Sequence, residues 1–134
     1  DVWLLKGQRG GHFGEGIDSG KPLLVELERS NLPLFTASGQ PQAHVSHAYQ
    51  QVEDWLQWWS ENRDLIPGDI DKTLPPDGLV VIGRSDGLSE KEHKKLLHLN
   101  HNRRVKLLTY DDLLDRLESL IYILEGRVQP KKRR

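Results

Sequence analysis

Leu79-Val80-Val81-Ile82 is an uninterrupted apolar run closed by Gly83. Successive side chains of a strand point to opposite faces, so four apolar residues in a row need cover on both sides. The run predicts a central strand of a layered domain, with Arg84 at its end. A sheet covered on one face only would leave half of these side chains in water. A chain of 134 residues is long enough to supply both layers around one core.

The elements around that strand follow from local pattern. Val2-Trp3-Leu4-Leu5 has strand character. Six glycines between Gly7 and Gly20 predict a long hairpin loop. Gly14-Glu15-Gly16 superficially resembles a nucleotide-binding turn, but no helix follows, and that reading is rejected. Pro22 suits the first residue of a second strand, Leu23 to Leu27, antiparallel to the first. The connector Ser30 to Pro41 is expected to dock Leu32, Leu34 and Phe35 on the core. A helix is predicted from Pro41, in its first turn, to Asn62. Its apolar stripe is Val45, Ala48, Tyr49, Val52, Trp55, Leu56 and Trp59. Trp58 lies off that stripe, where it reads as a contact surface.

Asp64 to Gly78 reads as a loop with three prolines, and its Asp69 and Asp71 do not fit a calcium loop. Ser89 and Glu92 form a capping box for a short helix to Leu99. Val105 to Leu108 is a further strand. Thr109 and Asp112 cap a last amphipathic helix that Gly126 stops. Strands alternating with helices predict an α/β fold, a mixed central sheet flanked by helices. One domain is expected over residues 1–127, followed by a basic tail over 128–134.

Composition narrows the chemistry. The chain has no cysteine, which excludes disulfides, thiolate metal sites and thiol catalysis. Its net charge of -1 does not suit a molecule that is basic throughout, although Lys131-Lys132-Arg133-Arg134 is purely so. No run is apolar and long enough to span a membrane, and no signal peptide is visible. A cytoplasmic location is expected. The first residue is Asp1 and there is no methionine, so the chain is expected to be a fragment or a processed product with its N-terminal part missing.

Leu23 to Arg29 carries the chemistry. Glu26 and Glu28 are two residues apart on one strand, so alternation points both the same way, against mutual repulsion. Two readings stand: a strand end that enters water, or a divalent-metal site. An antiparallel hairpin brings Asp1 to the same end, and three carboxylates then converge. Such an oxygen-rich pocket suits magnesium or manganese, with the Leu27 carbonyl as a further ligand. Bound metal lowers the pKa of water and stabilises charge building on a phosphodiester. Gln51 would orient the water or a phosphate, and Arg29 and Arg84 would hold phosphates. The plain alternative for Gln50 and Gln51 is the solvated face of the helix. His44 and His47 lack a third ligand for zinc, and His93, His98 and His101 read as polar surface.

Asp1 before a strand, with Val25-Glu26-Leu27-Glu28 on the next, resembles the D…(D/E)-x-K signature of the PD-(D/E)XK nucleases. Gln51 with Trp55 resembles the Q-x-x-x-Y element of some of those families. Four stretches resemble the Shedu family more specifically: Val25 to Arg29, Pro33 to Thr36, Gln50 to Trp55, and Val81 to Arg84 together with Thr109 to Leu113. The resemblance implies a PD-(D/E)XK, restriction-endonuclease-like core. It implies a metal-dependent DNA endonuclease that acts in bacterial anti-phage defence and assembles into homo-oligomers. Asp1, Glu26, Glu28 and Gln51 take the catalytic positions, and Asp1, Glu26 and Leu27 the metal. Glu28 departs from the pattern, which has lysine there. Glutamate can bind a metal or act as a base, but it cannot act as a cation. The alternative implied is a catalytically silent nuclease-like domain that serves DNA binding or oligomer assembly.

Overall fold

A computed structural model describes residues 2–5, 22–66 and 75–124 of the chain. Four strands form one sheet in the order of the sequence: β1 (Val2–Leu5), β2 (Leu23–Leu27), β3 (Asp77–Val81) and β4 (Val105–Leu108). β1 pairs antiparallel with β2, Val2 opposite Glu26, while β2, β3 and β4 run parallel. Parallel neighbours need crossovers. Helix α1 (Ala43–Glu61) joins β2 to β3, and α2 (Glu90–Asn100) joins β3 to β4. Helix α3 (Tyr110–Leu124) follows β4. The mixed α/β sheet expected from the sequence is the one found.

The apolar run does what its pattern requires. Val80 and Ile82 join Leu24, Val105 and Leu107 on one face, beneath Val45, Ala48, Tyr49, Val52 and Leu56 of α1 and Leu96 of α2. Leu79 and Val81 join Leu23, Val25 and Leu108 on the other, against Tyr110 and Leu113 of α3. Burying a side chain of this size contributes about 1.5–3 kcal/mol. Leu34 and Phe35 of the connector are buried and Leu32 packs beside them, as expected.

Several boundaries differ from the sequence reading. Pro41 is not in the first turn of α1. It pairs with Phe35 in an isolated antiparallel bridge, and Gln42 is the N-cap. Its side-chain amide reaches the Phe35 carbonyl at 3.2 Å instead of capping the helix. Trp55, placed on the buried stripe by spacing, is 46% exposed and meets Trp58 edge to face at 5.7 Å between ring centres. Of the three clustered tryptophans only Trp59 is buried. Gly78 belongs to β3, not to the loop before it, because a glycine is what fits under Val52 and Val105. The capping box of α2 is complete: the Ser89 hydroxyl accepts from the Glu92 N–H at 3.2 Å, and the Glu92 carboxylate from the Ser89 N–H at 3.1 Å.

Main-chain pairing continues past the strand ends. The Glu28 N–H donates to Val81 at 2.9 Å, the Gly83 N–H to Arg29 at 3.2 Å, the Ile82 N–H to Leu108 at 3.0 Å and the Tyr110 N–H to Gly83 at 3.0 Å. The segments after β2 and β3 and the start of α3 are thus held together where the parallel strands end. The glycine-rich stretch, Asp69, Asp71, Gly126 and the basic tail lie outside the described residues. Among the described residues no helix is long and apolar enough to cross a membrane.

Candidate functional site

Glu26 sits one residue before the end of β2, opposite Val2 of β1 and Val80 of β3. Alternation puts it on the α1 face with Leu24, and only 2% of it is exposed. A carboxylate so deep needs hydrogen bonds or a cation to offset lost hydration. Leu27, the last strand residue, points the other way and is 44% exposed. Glu28 is half-buried just beyond the strand. The pair read as equivalent from its spacing is therefore divided: Glu26 belongs to the core and Glu28 to the rim.

The rim borders a cleft of about 750 Å³ lined by Leu27, Glu28, Arg29, Arg84, Tyr110 and Asp111, among others. It opens where the parallel strands end, the usual ligand position in sheets of this type. Four of the residues singled out from sequence, Leu27, Glu28, Arg29 and Arg84, meet here. Glu26 and Gln51 do not line it. Gln51 is exposed on α1, the helix on the opposite side of the sheet from α3, and its neighbour Gln50 donates to Asp54 at 2.8 Å. Asp1 lies outside the described residues.

Sequence reasoning assigned no role to Tyr110 or Asp111. The Thr109 hydroxyl does accept from the Asp112 N–H at 3.3 Å, as a cap should. The two residues between them reach across the cleft. The Tyr110 hydroxyl donates to the Glu28 carbonyl. Burial, reinforced by the Glu28 charge, pushes the Tyr110 phenol above its ordinary pKa, so it stays a donor. The Asp111 carboxylate accepts from Arg84 Nε at 3.0 Å, from the Ser85 N–H at 2.8 Å, from the Ser85 hydroxyl at 3.1 Å and from the Asp86 N–H at 3.1 Å. Burial alone would raise its pKa; those donors and the Arg84 charge outweigh it and hold the carboxyl below the ordinary value. Arg84 also pairs with Asp86 at 3.3 Å. An acidic residue in the first turn of a helix, beside a predicted cap, was the signal available for Asp111.

The described donors at the end of β2 are two carboxylates and a backbone carbonyl. That all-oxygen chemistry fits a hard divalent cation. Among the described residues no group of three His, Asp or Glu is gathered so as to hold a metal; the third carboxylate expected from sequence is Asp1.

Comparison with curated proteins finds no match to the chain. A family model described as the C-terminal region of the Shedu protein SduA matches residues 13–114, a span that includes Glu26, Glu28, Gln51, Arg84, Tyr110 and Asp111. The chain belongs to this Shedu family, and membership sets it in the context of anti-phage defence.

Proposed function

We propose that this domain is a metal-dependent DNA endonuclease with a PD-(D/E)XK core, acting in bacterial anti-phage defence. The observation that carries the reading is Glu26. It is a buried carboxylate on the strand after a hairpin, paired with the Val2 that Asp1 immediately precedes, inside the span matched to the family. On this reading Asp1, Glu26 and the Leu27 carbonyl hold magnesium or manganese. The bound ion supplies a water of lowered pKa and charge stabilisation at the phosphate. Glu28, at the rim, takes the proton from the attacking water as the water oxygen bonds to phosphorus and the P–O bond to the sugar oxygen breaks, the leaving oxygen taking a proton from solvent. Gln51, exposed on α1 and outside the cleft, takes no step in this reading. Arg29 and Arg84 hold the flanking phosphates. The domain spans residues 1–127, with the basic tail beyond it. It works on DNA in the cytoplasm as a homo-oligomer, and the exposed Trp55 and Trp58 are consistent with a subunit contact.

The second reading is a silent nuclease-like domain that binds DNA or other subunits. Glu28 in place of lysine favours it, as does the pairing of Arg84 with Asp86 and Asp111. Calorimetric titration with manganese, run beside a nuclease assay on duplex DNA, separates the two. The first reading expects binding and cutting in the wild type, with cutting abolished in a folded Glu26→Ala protein. Wild type that neither binds manganese nor cuts DNA, joined by a Glu28→Lys protein that does cut, establishes the second.

A further inference from the structure

The two arginines before β4 lie at the far end of the sheet from Glu26. The parallel strands start there, so roughly 15 Å of strand separates the two places. A hollow of about 370 Å³ is lined there by Tyr49, Glu53 and Gln57 of α1 and by Arg103 and Arg104. None of these residues has a part in the candidate site.

Its polar groups are placed for a ligand. The Arg103 guanidinium lies over the Tyr49 ring, 5.2 Å from its centre, which fixes a cation without neutralising it. Arg104, which lines the hollow, is anchored by its Nε, which donates to the Pro76 carbonyl at 3.1 Å. Among the described residues neither arginine has a carboxylate within ion-pair distance, whereas Arg84 has two. The Tyr49 residue is more than nine-tenths buried; the Arg103 guanidinium approaches its hydroxyl, which makes no hydrogen bond of good geometry among the described residues. Such a group carries a desolvation cost of about 1–3 kcal/mol until something accepts from it. Burial, opposed by the Arg103 charge and by its approach to the hydroxyl as a donor, and helped by Glu53, raises the Tyr49 pKa, so the hydroxyl keeps its proton to donate.

We propose that this hollow is a second binding site, for the phosphate of a free ribonucleotide. Arg103, Arg104 and the Tyr49 hydroxyl hold the phosphate oxygens, and the Glu53 carboxylate accepts from the ribose hydroxyls. The same phosphate chemistry is available from a DNA backbone. Two features favour the small ligand. Glu53 repels a continuing polyanion and suits the hydroxyl donors that internal deoxyriboses lack. The volume is also at the small end of ligand sites.

The test is an NMR titration of the full chain in EDTA, so that no metal-dependent reaction intrudes, with AMP and separately with an eight-residue oligothymidylate. The expected result is saturable AMP shifts at residues 103–105 at or below about 10 mM, a range that still covers weak binding. The Arg103→Gln/Arg104→Gln protein should bind at least about tenfold more weakly, because two charge-assisted contacts are lost. Tyr49→Phe keeps the ring and the packing but loses the donor, and should weaken AMP several-fold without lowering the melting temperature. Absence of saturable shifts with AMP overturns the site, as does equal affinity in the double variant. Shifts at 103–105 with the oligothymidylate but not with AMP overturn the assignment to a free ribonucleotide.

Discussion

The hydroxyl of Tyr110, the first residue of α3, donates to the backbone carbonyl of Glu28, 82 residues away at the end of β2. Beside it, Asp111 gathers Arg84, Ser85 and Asp86. One turn of helix therefore sets the positions of two cleft segments, one with the rim carboxylate and one with an arginine.

Tyr110→Phe removes that bond while keeping the ring against the apolar cluster on that face of the sheet. A hydrogen bond of this kind is worth about 1 kcal/mol net. The urea midpoint should fall accordingly at unchanged slope. If Glu28 acts on substrate, cutting should fall by more than the loss of folded protein accounts for.

Asp111 makes stability depend on pH. Its folded pKa is depressed, so its contribution is present above the ordinary carboxylate pKa and is lost as pH falls through the folded value. Asp111→Asn should therefore melt below wild type at neutral pH, and the gap should close in acid. A gap that stays constant across acid titration contradicts this account.

Arg29 and Arg84 should separate in DNA binding. Arg29 is exposed with no ion pair among the described residues, while Arg84 is held by Asp86 and Asp111. In filter binding, Arg29→Gln is expected to lower the logarithmic salt slope by roughly 0.9, the value of one phosphate contact on duplex DNA. Arg84→Gln should change the slope less and the melting temperature more.

Gly83 and Gly87 bracket Arg84 with opposite tolerance. Gly83 has φ of +66°, and an added Cβ would come within 2.7 Å of the Leu32 carbonyl and 2.9 Å of Leu34. Gly83→Ala should cost more than about 1 kcal/mol. An added Cβ at Gly87 meets nothing within 4 Å, so Gly87→Ala should stay within about 0.5 kcal/mol of wild type. Parallel denaturant curves check both.

The elements were readable because their signals are local. A two-faced apolar run, a 3.6-residue stripe and a Ser89–Glu92 box each act over a few neighbouring residues. Trp55 shows where that reasoning stops. Its spacing matches the buried stripe, yet burial depends on what lies opposite, and the sheet beneath α1 is already met by Ala48, Val52 and Leu56. Pro41 was misplaced for a similar reason. It suits a first helical turn, but the connector folds back so that it pairs with Phe35.

The candidate site divides in the same way. The residue types at the end of β2, the acid at position 26 and the departure at position 28 are properties of the chain itself. Alternation also sufficed to set Glu26 and Leu27 on opposite faces. Tertiary structure alone decided that Glu26 is buried while Glu28 stands at the rim, because depth depends on how far the neighbouring strands and helices extend past the end of β2. It also decided that Arg84 is bound by Asp86 and Asp111, and that Arg103 and Arg104, beside Tyr49, have no ion pair among the described residues. Ion pairing across 27 residues, or its absence, depends on which loops the crossovers bring together, and no local pattern encodes that.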